Sequence, residues 1–202
     1  AAMEEAGLLG PDVLLHHAIT MSDADLRLMA RRGVSASHNL ESNMKVGAGL
    51  ARLPEMRAAG VTVGLGTDGA ASNNNLDMFE TMDVAAKVHK LFRRDPAVMP
   101  ARDVFRLATR HGARSLGLGD RVGSLESGKL ADLVLVDASS PEATPLYDVY
   151  SQLVYTLKGS SVRTVVVGGR VVLRDRQSTT LDTAEVLARA RAIARKIQPS
   201  PR

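Results

Sequence analysis

VTVGLGTDGAASNNNLDMFE, residues 61–80, is the stretch whose reading decides the fold. An apolar run, Val61–Leu65, has the length and composition of a buried strand. It leads to Asp68 and opens into a loop of Gly, Ala, Ser and Asn. A carboxylate at the carboxyl end of a buried parallel strand is where a barrel enzyme keeps its chemistry. No His-x-His pair accompanies Asp68 anywhere in the chain. The sequence therefore reads as the back part of an enzyme, carrying some of a site but not all of it.

Upstream, the same strand-then-helix rhythm recurs twice. Val13–Leu15 ends in His16-His17; Ser22 with Asp25 then reads as a helix start and Gly33 as its stop. Val34–Ala36 ends at His38, followed by an expected loop from Asn39 to Leu50. A short helix, 53–59, stops at Gly60. After Asp68, two longer helices are expected, about 77–92 and 101–116, with Asp95-Pro96 and Pro100 between them. A βαβαβα run predicts a parallel sheet with right-handed crossovers. Its strand ends then share one face, which brings His17, His38 and Asp68 together.

Beyond Leu116 the character changes. Glycines recur at 117, 119, 123 and 128, and short apolar or alternating runs follow at 131–136, 162–167 and 170–173. Gly168-Gly169 between the last two is a hairpin signal. Tyr147–Leu157 is expected to be a helix or an irregular bridge. Asp182 with Glu185 opens a terminal helix over about 183–197, and Pro199-Ser-Pro-Arg202 is expected to fray. The division is thus 1–116, 117–182 and 183–202.

Composition excludes several classes. With 202 residues and 45% hydrophobic content, a packed core is feasible; with 3% aromatics and no Trp it must be aliphatic. The absence of Cys removes disulfides and thiolate metal sites. The net charge of +4 comes from arginines scattered without interleaved aromatics, so no nucleic-acid partner is expected. No apolar run reaches the ~18 residues of a membrane span, and no signal-peptide pattern opens the chain. The expectation is a cytoplasmic protein with no membrane partner.

Four blocks carry a resemblance. They are His38-Asn-Leu-Glu-Ser-Asn43 with Met44-Lys45; Gly66-Thr-Asp-Gly-Ala-Ala-Ser-Asn-Asn74 with Leu76-Asp-Met-Phe79; Ala108-Thr with Gly112-Ala113; and Gly123-Ser-Leu-Glu-Ser-Gly-Lys-Leu-Ala-Asp-Leu-Val134. Their order and spacing resemble the amidohydrolase superfamily, and within it the 5-methylthioadenosine/S-adenosylhomocysteine deaminases and the related triazine hydrolases. The resemblance spans nearly the whole chain but corresponds only to the carboxyl-terminal part of such an enzyme. It implies an α/β fold: the carboxyl-terminal portion of a TIM-like (β/α)8 metal-dependent hydrolase barrel, then a small β-sandwich portion and a terminal helix. His17, His38 and Asp68 fall at the ends of barrel strands 6, 7 and 8. The implied cofactor is Zn²⁺, or Fe²⁺, bound by Asp68, which also takes a proton from the bound water. His17 would contact that water or the reacting centre. The remaining ligands of the family, a His-x-His and a further His, with a proton-shuttling Glu, would lie upstream of Ala1. Leu40 replaces a frequent Pro, and Thr20 stands where some relatives carry His.

Each assignment has a plainer competitor. Asp68 is a catalytic residue and metal ligand, or else caps its own loop through an Asx-turn. His17 competes with His16, since strand alternation lets only one face the barrel mouth. His38 and Asn43 are candidate substrate-binding residues, against loop bracing for both; Ser42 shares that bracing role. Ser72, Asn73 and Asn74 read as turn chemistry, and His89 and His111 as surface or packing residues. The implied activity is hydrolytic deamination of an amino-purine nucleoside or a similar small heterocycle. The alternatives are a chlorotriazine-type hydrolase and a non-catalytic fragment or subunit that needs a partner chain. A homo-oligomer or a missing amino-terminal portion is expected to complete the molecule.

Overall fold

The computed structural model describes residues 2–197. Two sheets organise it. The first is parallel, in the order β1 (Leu14–His16), β2 (Ser35–His38), β3 (Val63–Leu65). The second is antiparallel, in the order β4 (Leu133–Val136), β5 (Val162–Val167), β6 (Arg170–Arg174), β7 (Gln177–Ser178). The helices are α1 (Ala2–Glu5), α2 (Asp23–Arg32), α3 (Leu40–Lys45), α4 (Leu53–Ala58), α5 (Ala70–Asn73), α6 (Met78–Arg93), α7 (Ala101–Ala108), α8 (Arg110–Ser115), α9 (Val149–Ser151) and α10 (Thr183–Ile197). The chain is a mixed α/β protein. A small β-sandwich portion was expected after 117; the described residues there contain one four-stranded sheet.

Register explains why the strand ends align. Leu15 pairs with Ala36 and Ala36 with Val63, so the three strands stop level with one another. Local signals seat each crossover. Ser22 and Asp25 form a reciprocal capping box at the start of α2, and Gly33 ends it at φ 71°. Leu26 and Met29 of α2 are buried against the sheet. Asp77 caps α6 by accepting the Phe79 and Glu80 amides. Along α6, Met82, Ala85, Ala86 and His89 recur at helical spacing and form its buried face.

The structure departs from the sequence reading in two places, and it resolves the helix-or-bridge alternative at Tyr147–Leu157. The expected loop from Asn39 contains α3, whose Leu40, Ser42 and Asn43 are buried. The single helix expected over 101–116 breaks at Thr109, where φ −125° and ψ −94° leave helical space. Tyr147–Leu157 becomes a turn of α-helix followed by a π-helical segment, Gln152–Thr156. That segment joins the two halves. Val154 enters the core of the parallel part. Lys158 pairs with Asp83 at 3.0 Å, and the Gly159 amide donates to Asp77 at 2.9 Å. The terminal helix holds as expected over Thr183–Ile197, although none of its residues is buried. The expected fraying at 199–202 lies outside the described residues.

Gly64 shows how closely β3 meets its helix. A Cβ there would lie 2.9 Å from Gly112 Cα and 2.7 Å from Ser115 Oγ. Gly64→Ala is expected to lower stability by about 1–3 kcal/mol, because backbone must move to admit the methyl group. Urea unfolding beside Gly69→Ala checks it, since a Cβ at Gly69 meets nothing within 4 Å. Equal midpoints for the two variants would sink the expectation.

Candidate active site

At the level ends of β1, β2 and β3 the chain gathers His17, Asn43 and Asp68. β1 stops at His16, and His17 turns out of the strand at φ 66°. Its amide still pairs with Ser37 O at 2.9 Å, while the next amide, Ala18 N, closes back on His16 O at 2.7 Å. This is a γ-turn with a positive φ at its centre, a strained arrangement of the kind that clusters at functional sites. The strained turn, rather than strand alternation, separates His17 from His16. His16 remains exposed at the strand end.

Asp68 also adopts a left-handed conformation, φ 62°. Its Oδ1 accepts the Gly69 amide at 2.7 Å, and its Oδ2 lies 3.8 Å from His17 Nε2. The two readings of Asp68 thus fall on different oxygens: one closes the local loop, the other faces the histidine. The loop bond runs to the adjacent amide, not two residues on as in an Asx-turn. Side-chain exposures of 38% for His17 and 30% for Asp68 leave both reachable from solvent. The Ser42 hydroxyl, then the Gly69 amide and the Ser72 hydroxyl, pull the Asp68 pKa down to about 2. The carboxylate is therefore ionised at any physiological pH. Ser72 donates its hydroxyl to Gly69 O at 3.1 Å, the turn chemistry read from the sequence.

The loop approach is tight. A Cβ on Gly66 would collide with Asn39 Oδ1 and lie 2.8 Å from Ser37 Oγ. Glycine is needed where the chain passes those side chains on its way to Asp68. Lys45 of α3 donates to Ala71 O at 3.3 Å and also bonds Asn74 Oδ1, tying α3 to the loop that follows Asp68. Sequence reasoning assigned Lys45 no role. Its partners lie in and just after α5, 26 and 29 residues away, which no local pattern reveals.

Two candidate substrate-binding residues are buried instead. Asn43 is 1% exposed, and its Oδ1 meets His17 Nδ1 at 2.7 Å. His38, also 1% exposed, turns into the core, where its Nε2 lies 3.1 Å from His89 Nε2. Burial pushes the His38 pKa down to about 3 and the His89 pKa to about 4; a proton on His89 would oppose one on His38, and the Lys90 charge opposes one on His89. The pair is neutral, and one ring donates to the other. His111 stays half-buried on α8. The geometry favours bracing over substrate contact for both His38 and Asn43, because neither presents surface to a ligand.

The donor set can be tested against a metal ion. Among the described residues no group of three or more His, Cys, Asp or Glu side chains converges. Catalytic zinc normally takes three protein ligands and a water. An ionised carboxylate with one oxygen free of backbone, facing an imidazole, fits as part of such a set.

An acid and an imidazole meet at the carboxyl ends of β3 and β1, the two strands that flank β2 in the parallel sheet. The chain belongs to the amidohydrolase family, whose sequence model matches residues 1–172. It is 49% identical over 199 residues to the 5-methylthioadenosine/S-adenosylhomocysteine deaminase of Syntrophobacter fumaroxidans, covering 98% of this chain and 45% of that protein. A zinc-bound crystal structure of an adenosine deaminase from Xanthomonas campestris superposes with a TM-score of 0.94 at 40% identity, covering 97% of this chain and 45% of that one. The atrazine chlorohydrolase of Arthrobacter aurescens, also solved with zinc, superposes at 0.86 with 30% identity, covering 95% and 42%. The chain thus spans about half the length of the relatives it matches.

Proposed function

We propose that this chain supplies the carboxyl-terminal part of a zinc-dependent aminohydrolase acting on adenosine-type nucleosides such as 5-methylthioadenosine or S-adenosylhomocysteine. The observation that carries this reading is Asp68, held ionised at the end of β3 with one oxygen facing His17. In this reading β1, β2 and β3 are strands 6, 7 and 8 of a (β/α)8 barrel. Residues 1–116 belong to that barrel, 117–182 to a β-sandwich portion, and 183–202 to the terminal helix and tail. The printed names of the relatives support the substrate class: deamination is common to the curated relatives and to the adenosine deaminase structure.

Asp68 would hold Zn²⁺, with Fe²⁺ as the other candidate. Bound there, the metal would supply water whose pKa is lowered from 15.7 to about 7. A carboxylate with a pKa of about 2 is by itself a weak base, so its first contribution is a fixed negative charge at the reacting centre. Asp68 Oδ2 would also be placed to hold a proton released in the reaction. His17 Nε2 faces the same point and would accept a hydrogen bond from the hydroxyl that forms on the substrate's ring carbon. In the net reaction water oxygen replaces the amine and ammonia leaves.

The chain by itself is expected to be inactive, because one carboxylate and one imidazole fall short of a catalytic ligand set. β1 pairs only with β2 among the described residues, so its outer edge calls for an upstream strand or a second copy. A homo-oligomer fits this need. No described helix is long and apolar enough to cross a membrane. A chain without Cys gains nothing from an oxidising compartment, which supports a cytoplasmic home.

The test is product analysis on the zinc-loaded full-length protein. Nucleosides and a chlorotriazine are offered in parallel, and ammonia and chloride are measured. Ammonia from a nucleoside is expected. Chloride alone would favour the reading that the chlorohydrolase likeness supports. Elemental analysis of the 202-residue chain alone is expected to find no stoichiometric metal, and a stoichiometric metal there would overturn the partial-site reading.

A further inference from the structure

We propose that Asn43 is a positioning residue that fixes the tautomer and the aim of His17, so that Nε2 carries the lone pair and faces Asp68. This rests on the site described above and deepens it. A carboxamide oxygen accepts and cannot donate. With Asn43 Oδ1 2.7 Å from His17 Nδ1, the hydrogen between them belongs to Nδ1. The bond made by one ring nitrogen decides the state of the other. In the neutral ring, Nε2 is then an acceptor. It looks across 3.8 Å at a carboxylate oxygen that also only accepts. Two acceptors aimed at one point serve an electron-poor group or a donor placed between them, which is what a hydrolytic site must hold.

Three further observations point the same way. Asn43 is buried in α3, and its amide bonds Asn39 O at 3.1 Å, so its side chain starts from a rigid base. Lys45, two residues on, ties α3 to the loop after Asp68. One short helix therefore holds His17 directly and ties down the segment that follows Asp68. Finally, Asn43 Nδ2 is buried without a partner. An unpaired buried amide group is costly, and a side chain chosen only to fill that space would be apolar. The oxygen is what the position requires. The opposite amide orientation would put an N–H against Nδ1 and force the hydrogen onto Nε2, aiming a donor at Asp68.

The experiment is ¹⁵N NMR of the full chain with labelled histidine, metal-free, at about pH 8, above the ordinary histidine range. The expected wild-type signature for His17 is a protonated Nδ1 and a bare Nε2. Asn43→Ala is expected to lose it, with an Nε2-protonated form appearing, while the His38 and His89 signals stay in place and report an intact fold. Asn43→Asp, whose carboxylate also accepts from Nδ1, is expected to keep it. A wild-type His17 protonated on Nε2, or an Asn43→Ala variant with unchanged His17 signals, would overturn the proposal. The readout needs neither substrate nor metal. A protein without deaminase activity can still pass it, and an active deaminase can still fail it.

Discussion

Asp68→Asn in the full-length zinc-loaded protein is expected to cut ammonia release by at least the about 10²–10⁴-fold that a positioned acid–base group contributes. The substitution keeps an oxygen that can accept the Gly69 amide, so the loop after β3 should hold its shape. What disappears is the charge. The Gly69 amide donates to an ionised carboxylate, and a neutral amide oxygen draws less from it. Bound zinc should fall in the same variant. Because Asp68 ionises near pH 2, it stays charged throughout the neutral range, and no limb of the wild-type rate profile between about pH 5 and 9 should belong to it. Activity within tenfold of wild type would remove Asp68 from the mechanism. A normal metal content with lost activity would separate its role as base from its role as ligand.

The wild-type chain is expected to lose about 2 kcal/mol per buried histidine, about 4 kcal/mol for the pair, between pH 7 and pH 5. His38 and His89 are each 1% exposed and share one hydrogen bond in the core. Their folded pKa values, about 3 and about 4, lie below the ordinary 6.5. The unfolded chain therefore binds protons that the folded chain refuses. The stability is fully present above pH 6.5. It is lost as pH falls below that value, and the loss continues until the folded rings themselves take protons near pH 4 and 3. Urea midpoints at pH 7 and pH 5 measure it. His89→Met should remove about half of the acid sensitivity, because one of the two suppressed titrations is gone. A wild-type stability that is flat between those two pH values would mean that neither ring is held neutral by the fold.

Much of the parallel part was legible because its signals are local. The capping box of Ser22 and Asp25 and the stop at Gly33 each act within a few residues. The two glycines between β5 and β6 take positive φ, as a tight hairpin demands. The same holds for the start of α10 at Asp182 and Glu185, where the Glu185 amide donates to Asp182 at 3.0 Å. The misses have non-local causes. Helix α3 has no side-chain cap; burial of Leu40, Ser42 and Asn43 makes it a helix, and burial depends on elements far away in sequence. The break at Thr109 gives the chain a second short helix, which lets Gly112 approach Gly64 of β3.

The sequence by itself determined the order of strands and helices, the parallel sense of the first sheet and the presence of Asp68 at a strand end. Periodicity, caps and turn residues are properties of short segments, and those suffice for such conclusions. The tertiary structure alone decided which polar residues meet. It turned His17 out of its strand onto Asn43 Oδ1, left Asp68 Oδ2 facing the same ring, and sent His38 inward to His89. Contacts between residues 26 to 51 positions apart depend on how strands register and how helices pack. A side chain's partner, and with it its protonation and its chemistry, is set by that packing rather than by its neighbours in the chain.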